Sequence, residues 1–289
     1  MSIMSNIWEL EHVVVTPSRN ETVFLPKLVE SIANQSLIPS RWIIVSHNSE
    51  DESRNFLEQI SEKFDWISVI NVNDKNKRKR GAQIANLVNQ GLVSSGHNWD
   101  FFSKIDADMV LPSDYFEQIL SKFESSEKLG IASGTCYTIS RGRKRIEKVT
   151  TDHTRGGLKT YRRKCFDEIG GIREIDGWDG IDNIMAQMEG WETQSFSDLE
   201  ALHQRITGSH SGIISGCFES GRFAHSMGYL PLFLIARSIH RMASKPLFIG
   251  GISMFMGYSY SVFTNQQRLT EPEVVSFLRK KQKNRLKPW

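Results

Sequence analysis

The sequence predicts an α/β fold with a mostly parallel central sheet covered by helices, followed by a C-terminal helical extension. Three observations predict it. Short β-branched runs alternate with amphipathic stretches over residues 12–105, each apolar run breaks into a polar loop, and 289 residues at 39% apolar content suffice for one substantial core.

In the first run, residues 12–15, apolar residues give way to Thr16, Pro17, Ser18, Arg19, Asn20 and Glu21, the pattern of a buried strand ending in a binding loop. Leu25, Leu28, Val29 and Ile32 then recur at helical spacing over residues 25–33. Trp42, Ile43, Ile44 and Val45 form the second strand, which ends at Ser46, His47, Asn48 and Ser49. Residues 51–63 read as an amphipathic helix and residues 66–70 as a third strand. Ligands of parallel sheets bind beyond the carboxyl ends of the strands, so loops 16–21, 46–51 and 106–108 are expected to open at one edge.

The third of those loops carries the most specific chemistry. Asp106-Ala107-Asp108 follows the apolar-leaning run Phe101–Ile105. Side chains two apart on a strand point the same way, so both carboxylates can face one point where the chain leaves the sheet. A hard divalent cation takes oxygen ligands and keeps positions open for phosphate oxygens, which makes the pair a candidate diphosphate clamp. The competing interpretation is a solvated turn.

In order and spacing, these motifs resemble the family 2 glycosyltransferases with the GT-A fold. Residues 15–21 are similar to that family's opening nucleotide-binding strand and loop, and Asp106-Ala107-Asp108 stands where its metal motif is expected. Arg80-Gly81-Ala82-Gln83 and Asn89-Gln90-Gly91-Leu92 are similar to the helix that precedes this motif. Downstream, residues 156–163 lead through residues 166–172 to Gly177-Trp178-Asp179-Gly180-Ile181-Asp182, which resembles the acceptor-side strand and the helix carrying the catalytic acid. The likeness spans about three quarters of the chain and implies a Rossmann-like GT-A sheet.

The resemblance further implies metal-dependent, inverting transfer of a sugar from a nucleoside diphosphate to an acceptor hydroxyl. Thr16, Pro17, Ser18, Arg19, Glu21, Ser46, Asn48, Arg80, Asp106 and Arg205 are expected around the donor nucleotide. Asp106, Asp108 and His203 are expected at Mn²⁺ or Mg²⁺, and Trp178 and Tyr161 at the acceptor. A guanidinium fork matches phosphate oxygens bidentately, which favours Arg205 at the diphosphate. His203 follows the strand-like residues 193–196 and reads equally as a ligand or as a structural hydrogen-bonding residue. Two departures stand out. Ser46-His47-Asn48-Ser49 replaces the family's acidic pair before Gly-Ser, and Ile181-Asp182 replaces its Glu-Asp pair. The base role is therefore carried onto Asp182, with Asp179 as runner-up; the competing role of Asp182 is N-cap of a helix over residues 182–188.

Charge and cysteines narrow the class. The net charge of +3 and the lack of a basic-aromatic module speak against a nucleic-acid partner. Basic residues cluster at 75–80, in an expected hairpin loop at 141–145, and at 279–287. Cys136, Cys165 and Cys217 form neither a zinc pattern nor a disulfide framework, and the first ten residues lack a basic-then-apolar leader, so a cytoplasmic location is expected. Residues 1–224 are assigned to the glycosyltransferase domain and residues 225–289 to the extension. In the latter, residues 246–267 carry no charge but many Gly, Ser and Tyr. That composition favours packing or interfacial insertion over a bilayer span. With the basic stretch that follows, it points to a peripheral site on the inner face of the cell membrane and to a glycan or lipid-linked acceptor in surface polysaccharide or glycolipid assembly. Alternatives are a nucleotidyltransferase acting on a sugar phosphate and a non-catalytic glycan- or nucleic-acid-binding protein.

Overall fold

Val13, Val14 and Val15 are fully buried yet face two different cores, Val14 on one side and its neighbours on the other. That alternation is the period of a strand with both faces covered. The strand is β1 (His12–Ser18). The computed structural model describes residues 7–74, 81–140, 142–147, 150–205 and 212–286. They divide into two compact units, Met1–Arg205 and Ile206–Trp289.

In the first unit β1 is followed by α1 (Leu25–Ala33), β2 (Arg41–His47), α2 (Ser53–Lys63), β3 (Ile67–Val72), α3 (Ala82–Ser94) and β4 (Phe101–Ile105). After β4 come β5 (Met109–Val110), α4 (Tyr115–Glu124), β6 (Leu129–Ser140), β7 (Arg143–Ile146) and β8 (Leu158–Arg162). The unit closes with α5 (Arg163–Glu168), α6 (Trp178–Met188) and β9 (Glu192–His203). The sheet runs β3-β2-β1-β4-β8-β6-β9-β5, with β7 paired to β6. Strands β1 to β4 are mutually parallel, and β8 lies antiparallel to β4. Because β1, β2 and β4 run the same way, Ser18, His47 and Ile105 end at one edge, as the alternation of elements predicts.

Three boundaries differ from the sequence expectation. Helix α6 starts one turn early, because Gly177 adopts φ +79° and caps it. Asp182 thus sits in the second turn, and the N-cap role passes to a residue that tolerates left-handed backbone. Residues 143–145 belong to strand β7 rather than to a loop, and Lys144 there pairs with Glu200. Strand β9 continues past Phe196 to His203, with irregular pairing between Gly134 and Thr135 of β6.

The second unit holds α7 (Ile213–Ser226), α8 (Pro231–Met242), α9 (Ile249–Phe263) and α10 (Pro272–Leu286). The expected domain boundary after residue 224 falls inside α7, which packs in this unit. Small residues explain the pairing of α7 with α9: a Cβ at Gly221 would lie 1.9 Å from the Met254 carbonyl oxygen, and one at Gly257 would lie 2.0 Å from that of Phe218. The Gly content of the uncharged run therefore serves helix-to-helix approach. Among the described residues no helix is long and apolar enough to cross a membrane.

One buried titratable group links the first core to pH. His12, at the start of β1, places Nε2 2.8 Å from Ser103 Oγ while Nδ1 has no partner among the described residues, and burial pushes its pKa down to about 3. Between the ordinary value of 6.5 and about 3, the unfolded chain binds a proton here that the folded chain refuses. Its stability contribution is complete above pH 6.5 and is lost as pH falls through that window. The expected loss is up to about 1.4 kcal/mol per pH unit. A His12→Gln variant should show a shallower fall in denaturant-unfolding stability below pH 6.5 than the parent; equal slopes would exclude His12 as the source.

Candidate active site

The antiparallel pairing of β4 with β8 sets Lys104 directly opposite Lys159. Both side chains are buried, and like charges facing each other across strands oppose pairing unless each is neutralised. Each has its own carboxylate: Lys104 Nζ pairs with Asp106 Oδ1, and Lys159 Nζ contacts both oxygens of Asp182 at 2.8 and 2.9 Å. Trp178 lies near both ammonium groups, with ring-centre distances of 5.5 and 5.6 Å.

This arrangement engages Asp182 fully. It is 3% exposed, and besides Lys159 it accepts a 2.5 Å hydrogen bond from Tyr161 O–H. Burial and then the charge of Asp182 hold the Tyr161 phenol well above its usual pKa, so it stays a donor. Tyr161 is fully buried and stacked on Phe102 at 5.5 Å, and Trp178 is buried beneath the lysines. The two rings named for the acceptor are thus core side chains in this conformation.

Asp179 is different. It is partly exposed on the first turn of α6. A Cβ at Gly156 would lie 2.8 Å from Asp179 Oδ2, and one at Gly157 would lie 2.8 Å from Asp106 Oδ2. Adjacent Cα atoms are only about 3.8 Å apart, so both carboxylates rest on one glycine strip, where a larger residue would have to displace them.

The short pairing of β5 with β9 completes the site. Met109 faces His203, and the Gln204 N–H donates to the Asp108 carbonyl at 2.8 Å, which brings two segments 95 residues apart side by side. His203 Nε2 lies 3.3 Å from Asp108 Oδ2, and Nδ1 lies 3.1 Å from Glu147 Oε1. Arg155 in turn pairs with Glu147, while Arg205 pairs with Glu21 and approaches Asp108 Oδ2 at 3.5 Å with its guanidinium over Phe24. Burial disfavours charge on His203, but the bonds to Asp108 and Glu147 outweigh it and raise the imidazole to about 9. Burial also opposes charge on Asp108, and His203, Arg205 and Lys104 together hold its carboxyl below the usual range.

At the end of β1, Thr16 is buried and accepts from Trp42 Nε1 at 3.0 Å, and Pro17 is partly exposed. Ser18 Oγ and Arg19 Nη1 are buried without hydrogen-bond partners among the described residues. Ser46 bonds Ser49 at 3.1 Å, and Asn48 adopts φ +45° with its amide on Asp74. Asp74 also meets His47 at 3.1 Å, so a carboxylate from beyond β3 stands beside the loop that lacks its own acidic pair. Arg80 lies outside the described residues.

The sequence of residues 13–176 matches the family described as Glycosyl transferase family 2. The chain belongs to that family. This family 2 glycosyltransferase shares its GT-A fold with solved structures. A mannosyltransferase from Pyrobaculum calidifontis, solved with GDP-Man and Mn²⁺, is 14% identical with TM-score 0.57, the alignment covering 96% of this chain and 81% of that one. S. aureus TarS, residues 1–349, solved with UDP-GlcNAc, is 14% identical with TM-score 0.56, covering 93% and 78%. No curated protein matches the sequence.

The glycosyltransferase site includes residues the sequence alone did not single out. Glu147 and Arg155 carry no local signal, since they reach His203 only through the folded sheet. Lys104 and Lys159 did carry one: a lysine within a strand, in two strands where every residue but Arg162 is buried. The Lys159–Asp182 pair gives a direct test. Lys159→Met alone should cost about 3–5 kcal/mol by leaving a buried carboxylate unpaired, and adding Asp182→Asn should recover more than half of the loss in urea unfolding. Simple additivity of the two losses would exclude the coupling.

Proposed function

We propose that the protein transfers a sugar from a nucleoside-diphosphate donor to an acceptor hydroxyl with inversion, and that Asp179 rather than Asp182 is the base. The observation that carries this is the glycine strip. Asp179 and Asp106 share it at the carboxyl edge of the parallel strands, with Asp108 and His203 next along the chain path, whereas Asp182 is enclosed by Lys159 and Tyr161. An acceptor oxygen beside Asp179 gives up its proton to that carboxylate as it bonds to the anomeric carbon, and the bond to the departing diphosphate breaks. Asp182 acts through Lys159, whose ammonium also touches the Asp179 carbonyl at 2.5 Å, and so positions the turn that carries the base.

The donor side rests on chemistry already assembled. The buried, unpartnered Ser18 Oγ and Arg19 Nη1 are the polar groups a bound nucleotide diphosphate would satisfy. Thr16, Pro17 and Glu21 shape the same loop, Ser46 and Asn48 with Asp74 flank the base, and Arg205 is poised for phosphate once it exchanges a carboxylate for it. The solved neighbours carry GDP-Man or UDP-GlcNAc, which is in keeping with a nucleotide-sugar donor here.

The donor set fits a divalent cation. Neighbouring ligand atoms on an octahedral ion with bonds of about 2.1 Å lie about 3 Å apart, close to the 3.3 Å between His203 Nε2 and Asp108 Oδ2. Glu147 on Nδ1 is the outer carboxylate that orients a ligating imidazole. Imidazole favours Mn²⁺ over Mg²⁺. Among the described residues no group of three or more such side chains forms a metal cage, so donor phosphates and water would complete the coordination. Asp108 and His203 would hold the ion and Asp106 would stay on Lys104; when bound, the ion supplies charge neutralisation for the leaving diphosphate.

A second reading concerns residues 206–289. Exposed apolar side chains on α8, α9 and the segment between them support peripheral attachment to the inner face of the cell membrane, with a lipid-linked glycan acceptor in surface polysaccharide or glycolipid assembly.

Two experiments test the catalytic assignment. Asp179→Asn should lower turnover about 100- to 10,000-fold with the melting temperature within about 2 °C of the parent. Asp182→Asn should lower the melting temperature by about 6 °C or more. The reverse pattern would return the base to Asp182. In thermal shift, one of UDP, GDP, CDP and dTDP should stabilise the protein only with Mn²⁺ or Mg²⁺ present, and His203→Ala should abolish that increment. An equal shift in chelator would remove the metal from donor binding.

A further inference from the structure

Residues 206–289 carry eleven Lys and Arg against three Glu, whereas residues 1–205 carry 25 against 30. Part of this basic excess converges on one place. A cavity of about 750 Å³ is lined by Arg268, Thr270, Ser276, Arg279, Lys280 and Lys283, and no carboxylate is among the side chains that line it. Ser276, Arg279, Lys280 and Lys283 recur at three- and four-residue spacing and so share one face of α10. Val274, Leu278 and Gln282, on other faces, are buried in the unit. Arg279 is anchored by its Nε–H to the Gly228 carbonyl at 2.8 Å, and Thr270 Oγ1 is buried without a partner among the described residues.

Four cations lining one cavity, with no carboxylate among the lining side chains, favour an anion between them. Guanidinium, ammonium and hydroxyl donors together match the oxygens of a phosphate. The source of that phosphate follows from the rest of the unit. Leu232, Phe248, Met256 and Phe263 are 62, 65, 57 and 88% exposed, and no charged residue occurs from Pro246 to Gln267. A dissolved phosphorylated metabolite would account for the cations but leave this apolar surface in water. A phospholipid accounts for both.

We propose that this cavity is a binding site for the phosphate of a membrane lipid headgroup, with a phosphomonoester as its best ligand. The proposal rests on the membrane reading above and sharpens it from diffuse attraction to a defined site. It is independent of the donor site.

The test is vesicle flotation of the full chain. Phosphatidylcholine vesicles contain either phosphatidic acid or, at matched surface charge, sulfatide, which is anionic without a phosphomonoester. Lys280→Gln/Lys283→Gln should lose about 10-fold or more in partition onto phosphatidic acid and less than about 3-fold onto sulfatide. Arg237→Gln/Lys245→Gln, with the same charge change outside the cavity, should lose equally on both. All four residues are exposed, and an unchanged melting temperature confirms folding. Equal losses by the cavity variant on both vesicle types would overturn the site while leaving membrane attachment intact. Failure of the parent protein to float with either vesicle would overturn the membrane reading and this site with it. Stabilisation of the parent by millimolar glycerol phosphate in thermal shift, together with unchanged partition of the cavity variant onto phosphatidic acid, would reassign the cavity to a soluble ligand.

Discussion

Two lysines facing each other inside the sheet set the terms for everything around them. Lys104 and Lys159 are adjacent across β4 and β8, and neither reaches water. An unpaired ammonium at that depth is costly, so each demands a carboxylate, and those carboxylates belong to the two motifs that define the site. Asp106 comes from the loop after β4 and Asp182 from α6. The charge requirement therefore locks a helix that follows β8 in sequence onto the edge where β4 ends. Asp179, one turn before Asp182, is delivered to the glycine strip as a consequence. An ion pair that contributes little to net stability can still define position, because the alternatives to it are so unfavourable.

The other half of the site is held by alternating charge. From Glu21 through Arg205, Asp108, His203 and Glu147 to Arg155, each carboxylate is flanked by cations and each cation between them by carboxylates. The chain of contacts joins the ends of β1, β4 and β9 to the segment after β7. In such a network each charge is held by neighbours of opposite sign from distant segments, so the position of every member depends on the others.

The two units of this family 2 glycosyltransferase divide the charge unequally. The sheet-bearing unit is net acidic, and the helical unit carries the basic excess together with the exposed apolar side chains. A net charge of +3 for the whole chain conceals that polarity. Basic excess and exposed apolar side chains thus occur together in the smaller unit, and that coincidence is what supports the membrane proposal.

The alternation of strand and helix through β4, the loop Thr16 to Glu21, and Asp106-Ala107-Asp108 were all determined by local sequence, because period, turn residues and side-chain direction act within a few residues of one another. The start of α6 was misplaced, since a glycine with positive φ provides the cap without the side-chain signal that marks one. What only the tertiary structure decided was the surroundings of acids that look alike in sequence. Asp179 and Asp182 lie three residues apart on the same helix, and the sequence favours the second. Burial against Lys159 and Tyr161 engages that one and leaves the first on the glycine strip. The partners of His203 were decided in the same way: the pairing of β5 with β9 brings it to Asp108 and the fold brings Glu147, and none of these lies near it in sequence. Spacing along a chain specifies which side chains share a helix or strand, but desolvation and charge pairing are set by neighbours from distant segments, and those neighbours exist only once the sheet has closed.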